Sequence, residues 1–236
     1  MSGNGNRTIY FHHSYLFLAI LIALLIPVIA LVFVGVLSVA FEKVGFTPLD
    51  ILLILAATLI GSSINIPVGK LKSTTPIIRE KTVNWLGITY RIPQVAYGES
   101  YTVVAVNVGG ALIPAAVCIY LLIKSSASTI ILSLIGVAVV ALVTHLVARP
   151  VKGVGITTPV FIPPLTAAIA ALILSPTHAL TIAYVSGVLG ALIGADLSNL
   201  GKVPALGAPV ASIGGAGTFD GVFLTGIIAV LLAAIF

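Results

Sequence analysis

Two aspartates stand out in a chain that holds only six acidic residues. Asp196 closes the apolar stretch YVSGVLGALIGADL, and Asp220 opens DGVFLTGIIAVLLAAIF. The remaining acids, Glu42, Asp50, Glu80 and Glu99, fall in connections or at segment ends that water reaches. Two carboxylates sharing one site cannot both ionise cheaply, so one proton is held between them. One acid then acts as base toward water while the other polarises a carbonyl, a hydrolytic arrangement that needs neither metal nor thiol. The same pair could instead hold a transported proton or cation beside a glycine-rich half-helix end. In a third reading the acids only cap and pair helices.

The segment between them bears on the choice. Residues 203–217, VPALGAPVASIGGAG, carry no charge and few strongly polar groups, whereas a solvated loop is normally polar. Part of this connection is therefore expected to dip into the membrane or pack into the bundle, taking both aspartates below the surface. A charge at membrane depth costs at least about 2.5 kcal/mol and is as a rule paired, cavity-lining and functional.

The elements that must position these groups are membrane helices. Of 236 residues 59% are hydrophobic and 7% charged, with a mean hydropathy of +1.25, against about 25% charged in soluble domains. The polar opening MSGNGNRTIYFHHSY followed by a long apolar run reads as a retained first helix, not a cleaved leader. The single cysteine, Cys118, builds neither a disulfide nor a metal cluster within one chain. Spans of about 20 apolar residues are expected at 15–41, 48–66, 101–123, 128–148, 158–175, 177–197 and 219–236.

Seven spans place the termini on opposite sides, and the basic residues test that count. Arg7, Lys70, Lys72, Arg79, Lys81, Arg91, Arg149, Lys152 and Lys202 fall on one side; only Lys43 and Lys124 fall on the other. The bias predicts a cytoplasmic N-terminus and an outer C-terminus, and it accounts for the basic pI near 9.5 without nucleic acid. The longest non-spanning piece, about 67–98, alternates in LGITYRI and is expected to form a short cytoplasmic β-hairpin or loop that anchors at the headgroups.

Glycine and proline interrupt the spans at SSINIPVG (62–69), VNVGGALIP (106–114), GITTPVFIPP (155–164) and GAPVASIGGAGT (207–218). Broken backbone at membrane depth is tolerated where it is buried in protein or lines a wet cavity. Asn65 and Asn107 occupy similar settings, INIP and VNVG, and are candidates for contact with a substrate or ion. Small residues recur every four positions at Ser186, Gly190 and Gly194, and again at Gly221, Thr225, Ala229 and Ala233, which predicts two closely packed helices. His145 lies one turn from Arg149, with no second histidine nearby to make a metal site. Arg149 reads as a snorkelling anchor.

The stretches INIPVG, VNVGGALIP, GVGITTPVFIPP, GVLGALIGADL and SIGGAGTFDGVFLTGI together resemble a family of archaeal and bacterial polytopic proteins known as a domain of unknown function. That resemblance implies a prokaryotic cell-membrane protein. A second resemblance is to the GxGD aspartyl intramembrane proteases, the presenilin, signal peptide peptidase and prepilin peptidase type. It rests on Gly217-Thr218-Phe219-Asp220, Gly194-Ala195-Asp196 and Pro204-Ala205-Leu206. Phe219 stands where that motif has its second glycine, and the Pro-Ala-Leu tripeptide precedes the second aspartate instead of following it. The resemblance implies Asp196 and Asp220 as catalytic residues; Pro204 to Leu206 and Gly214 to Gly217, with Pro204, Ala205, Leu206, Gly215 and Gly217 as the substrate contacts, are then expected to form a flexible wall where an unwound substrate docks.

The expectation is thus an all-α membrane bundle of about seven helices in one domain, partnered by the lipid bilayer and a membrane-spanning peptide, with no cofactor or metal. The leading function is an intramembrane aspartyl protease. The alternative is a proton- or cation-coupled transporter or channel using the same aspartates with Asn65 and Asn107.

Overall fold

The structure, a computed structural model, describes residues 14–73, 77–85, 88–96, 100–152, 155–215 and 221–235. Seven helices carry most of these residues: α1 (Ser14–Glu42), α2 (Pro48–Gly61), α3 (Ile113–Lys124), α4 (Ala127–Val147), α5 (Ile162–Leu174), α6 (Ala179–Ala191) and α7 (Gly221–Ile235). Three continuous helical stretches, Phe17–Glu42, Ala127–Val147 and Pro176–Leu206, are long and apolar enough to cross a membrane. They mark the chain as a membrane protein.

Local chemistry explains where the helices start. Thr47 caps α2 reciprocally: Asp50 N donates to Thr47 Oγ1, and Thr47 N donates to Asp50 Oδ2 at 2.8 Å. Pro48 follows at the first helical position, where no amide partner is lost. Pro163 and Pro164 play that part in α5, so the IPP of GITTPVFIPP begins a helix instead of breaking one. Ser126 caps α4 by accepting from Thr129 N.

Strands are more extensive than one hairpin. β1 (Asn65–Ser73) runs antiparallel to β4 (Ser100–Asn107), and β7 (Val210–Ile213) adds to β4 in parallel, giving the order β1-β4-β7. β2 (Ile77–Trp85) and β3 (Ile88–Ala96) form the expected hairpin between α2 and α3. Its register continues that of the β1–β4 ladder, since Ser73 faces Ser100 and Ile77 faces Ala96. Leu86, Gly87 and Tyr97, part of the hairpin expectation, lie outside the described residues. A third pair, β5 (Arg149–Val151) and β6 (Gly155–Thr157), links α4 to α5.

These strands correct two expected spans. The span placed at 101–123 begins as β4, because SYTVVAVN is rich in β-branched residues and finds ladder partners on both sides. The span placed at 48–66 stops as a helix at Gly61 and re-enters as β1. All four glycine/proline interruptions are junctions between strands and helices, and three of them share the β1-β4-β7 sheet.

The bundle is organised around α6, whose Ile182, Ala183, Val185, Ser186 and Val188 are all fully buried. It packs on α3, α4, α5 and α7, which is why its sequence is apolar all round. The two small-residue stripes do not face each other. Ser186, Gly190 and Gly194 face α4: a Cβ on Gly190 would come within 2.6 Å of Val140 Cβ, and one on Gly194 within 2.8 Å of Thr144 Cβ. Thr225 and Ala229 of α7 instead rest on Gly187, on the other side of α6.

The bundle has two distinct ends. At one, Lys43 and Val44 after α1, Pro176–His178 before α6, and Ala233 and Ala234 of α7 line a common cavity of about 330 Å³. Phe46 and Tyr120 bring Lys124 to the same end. The sheet, the β5–β6 pair and the C-terminal end of α6 lie at the other.

Candidate functional site

α6 does not end cleanly. It widens into a π-helical turn, Leu192–Asp196, and tightens into a 3-10 segment, Leu197–Leu206. Such changes of helical pitch frequently mark functional sites. Here they turn Asp196 toward the returning chain, and Asp196 Oδ2 accepts from Gly214 N at 2.7 Å. Gly214 and Gly215 follow β7 with φ of +81° and +87°, a region that L side chains rarely occupy. The turn lets β7 leave the sheet and presents the Gly214 amide to the carboxylate.

Asp196 is half-buried and lines a cavity of about 200 Å³ at the sheet end. Its walls come from the 3-10 segment through Val203 and Leu206, from β7 through Ala211 and Ser212, and from β6 and the following residues through Ile156 and Thr158. The start of α7 closes it with Gly221, Val222 and Thr225. Both β7 and β6 are edge strands, so the carboxylate sits where two strand edges border one space.

Asp220 and Gly217 lie outside the described residues. Gly221, which follows Asp220 in sequence, is a wall of the Asp196 cavity. Of the remaining expected site residues, Leu206 and Gly215 line this cavity, while Pro204 and Ala205 belong to the adjoining 3-10 segment without lining it. The glycine wall is tightly seated at Gly214, where a Cβ would come within 2.6 Å of Ala111 Cβ and 2.7 Å of Ala111 N. Of the connection expected to dip into the membrane or pack into the bundle, Val203 and Leu206 are buried, and the described part runs as 3-10 helix and then as β7.

Asn65 and Asn107 do meet, as cross-strand partners at the end of the β1–β4 ladder. Neither lines the Asp196 cavity. Asn107 is 1% exposed and its polar atoms are engaged: Nδ2 donates to Ser62 O at 2.7 Å and Asn65 Oδ1 at 3.1 Å, and Oδ1 accepts from Gly110 N at 2.6 Å. Ser212 Oγ donates to Asn65 Oδ1, joining β7 to the same cluster. This is a staple that ties α2, β1, β7 and the π-helical turn Val108–Leu112 together.

Asn107→Ala is therefore expected to cost roughly 2 kcal/mol, since it removes a cap and orphans the buried Gly110 amide. Asn65→Ala, at an exposed position, should cost less than about 1 kcal/mol. Unfolding midpoints in mixed micelles, read side by side, check the contrast.

Among the described residues His145 meets Asn199, whose Nδ2 lies 3.5 Å from its Nδ1. Asn199 donates from Nδ2 to the Gly194 and Ala195 carbonyls and accepts from Lys202 Nζ, satisfying the end of the distorted helix. Among the described residues no three His, Cys, Asp or Glu side chains gather as metal ligands. Sequence reasoning missed Thr158 and Ser212 as site residues, while Gly214 belongs to the glycine wall it expected. Only the paired glycines in SIGGAG carried a usable signal, a turn with positive φ.

Between the cavities at the two ends, described side chains of α6 and α7 pack closely. Tyr184, Val188, Ala229 and Val230 are fully buried there, and a Cβ on Gly226 would come within 2.5 Å of Val188 Cγ2. Fold and site together define a polytopic, mainly helical membrane protein with a carboxylate-bearing cavity at one end of its bundle. Residues 59–232 match the family described as Protein of unknown function (DUF1614), and the chain belongs to that family. No curated protein and no solved structure matches it.

Proposed function

We propose that this protein is an intramembrane aspartyl protease of a prokaryotic cell membrane, with Asp196 and Asp220 sharing one proton across the sheet-end cavity. The observation that carries the reading is that Asp196 and Gly221, the residue next to Asp220, line the same small cavity. In the proposed reaction the ionised aspartate takes a proton from water, and the protonated one donates to the scissile carbonyl oxygen. Water oxygen bonds the carbonyl carbon to give a gem-diol; as the C–N bond then breaks, the protonated aspartate gives its proton to the leaving amine and the other takes one from a gem-diol hydroxyl, so the dyad is again singly protonated. The edges of β7 and β6 offer backbone groups to an unwound peptide segment.

In this proposal all seven helices cross the bilayer, with the sheet end cytoplasmic. Lys70, Lys72, Arg149, Lys152 and Lys202 belong to the sheet-end segments and Lys43 and Lys124 to the opposite end, in accord with the positive-inside rule. α2, α5 and α7 have 14, 13 and 15 residues, or roughly 20–22 Å at about 1.5 Å per residue, short of a hydrocarbon core of about 30 Å. Strand and 3-10 backbone would fill the missing depth, a placement that membranes tolerate around a wet cavity.

The test is to incubate purified wild type, Asp196→Asn and Asp220→Asn with a panel of single-span substrates. Each variant should lose cleavage by about 100- to 10,000-fold. Cleavage that persists in both variants excludes the dyad.

A coupled transporter is the second reading, favoured by the N-terminal end of α7 abutting an acid-bearing cavity. The buried mid-bundle side chains Tyr184, Val188, Ala229 and Val230 and the engaged side-chain amide of Asn107 weigh against it. Asp-dependent proton or cation flux in liposomes, with no cleavage of any substrate, would establish transport instead.

A further inference from the structure

Beside the Asp196 cavity, and separated from it by Thr158, lies a larger cleft of about 550 Å³ that the proposed chemistry does not use. It opens where α4 ends and α5 begins. Leu146 and Val147 form one wall, Pro159 and Ile162 another, and Arg149, Thr157 and Thr158 supply its polar part.

Three observations describe what such a cleft would take. First, the Arg149 side chain is exposed and, among the described residues, has no ion-pair or hydrogen-bond partner. Thr158 likewise has its hydroxyl uncommitted, whereas Thr157 Oγ1 already donates to Arg149 O at 3.2 Å. A guanidinium and a hydroxyl donor thus share a concave site with one more hydroxyl oxygen, a set suited to the oxygens of a phosphate.

Second, the flanks are strongly apolar and open. Leu146 and Phe161 are both 73% exposed, and Leu142, Leu165 and Ile169 continue the exposed apolar surface along α4 and α5. A ligand whose charged head met Arg149 would therefore run its body along these side chains.

Third, the surroundings are basic. Lys152 lies in the β5–β6 connection, and Lys202 lies on the 3-10 segment that β5 packs against. Among the described residues no acid lines the cleft.

We propose that this cleft is a binding site for an anionic phospholipid, with its phosphate on Arg149 and Thr158 and its acyl chains along Leu146, Ile162 and Leu165. A snorkelling arginine on a convex helix would touch headgroups in general; here the concave walls and the second donor hold one. Because Thr158 belongs to both spaces, the lipid sits at the lateral margin of the Asp196 cavity. The proposal stands whether or not that cavity is proteolytic.

The experiment is native mass spectrometry of the detergent-solubilised protein with added phosphatidylglycerol, phosphatidylcholine or inorganic phosphate. Wild type should retain one phosphatidylglycerol whose occupancy falls about tenfold in Arg149→Gln. Arg149→Lys, which keeps the charge but loses the fork, and Thr158→Val should each fall by a smaller factor, so the result does not depend on one variant folding. Lys43→Gln, at the opposite end, should leave occupancy unchanged. Equal occupancy in wild type and all three cleft variants overturns the site. Equal Arg149-dependent retention of phosphatidylcholine overturns the anionic preference, and displacement by millimolar inorganic phosphate overturns a lipid in favour of the free anion.

Discussion

Gly109→Ala is expected to prevent the chain from reaching its native packing. A Cβ on Gly109 would overlap the Thr58 carbonyl oxygen and the Ser62 nitrogen and come within 2.9 Å of Gly61 C. All three obstructing atoms are backbone, so no rotamer change can clear them. Even a well-accommodated overpacked methyl costs about 1–3 kcal/mol, and here α2 would have to move away from the start of α3, pulling the Asn107 staple apart. The expected result is loss of monodisperse protein on size exclusion, or an unfolding free energy lowered by more than about 3 kcal/mol. Gly201→Ala supplies the contrast. Nothing lies within 4 Å of its added methyl, and it should stay within about 0.5 kcal/mol of wild type.

Gly214→Ala should be nearly as damaging, with a readout at the site. Its φ of +81° is costly for alanine by about 1–2 kcal/mol, and its methyl would also press on Ala111 Cβ and N, 2.6 and 2.7 Å away. Together these predict a loss of roughly 2–4 kcal/mol. The amide that Asp196 accepts from would shift as well. Under the proposed mechanism, cleavage by Gly214→Ala should fall beyond what its loss of folded protein explains, measured per folded molecule. Cleavage per folded molecule equal to wild type would sever Gly214 from the site and leave it a packing residue only.

The membrane character of the chain and the location of its helices could be read from the sequence because lipid imposes a simple rule. Apolar runs must satisfy their own backbone, and only helices or closed barrels do so unaided. Among the described residues each of the seven apolar runs contains an α-helix, and three helical stretches are long and apolar enough to cross a membrane. The rule failed where backbone is satisfied by a distant partner. SYTVVAVN was apolar enough to count as span, yet its ladder partners are β1 and β7, from Ser73 opposite Ser100 to Ile213 opposite Val106, far off in sequence on either side. The glycine and proline breaks were visible as breaks, but nothing local indicated that they were strand-to-helix junctions.

The same distinction runs through the site. Asp196 was conspicuous because an acid is rare in such a chain, and the apolar connection after it showed that this part of the chain had to pack inward. The echo between INIP and VNVG brought Asn65 and Asn107 to notice as substrate or ion contacts; in the structure Asn107 is engaged by Ser62, Asn65 and Gly110, and Asn65 Oδ1 accepts from Asn107 and Ser212. The stripe at Ser186, Gly190 and Gly194 announced a close helix contact without naming its partner, which is α4.

Composition and hydropathy by themselves determined a polytopic membrane protein with an unusual acid at the end of its sixth apolar run, because the cost of placing charge and open backbone in lipid is paid residue by residue. Tertiary structure alone decided that this acid meets the Gly214 amide, that β7 and β6 border its cavity, and that the two asparagines serve as a staple. Those outcomes depend on hydrogen bonds between residues far apart in the chain, and such pairings leave no periodicity in the sequence.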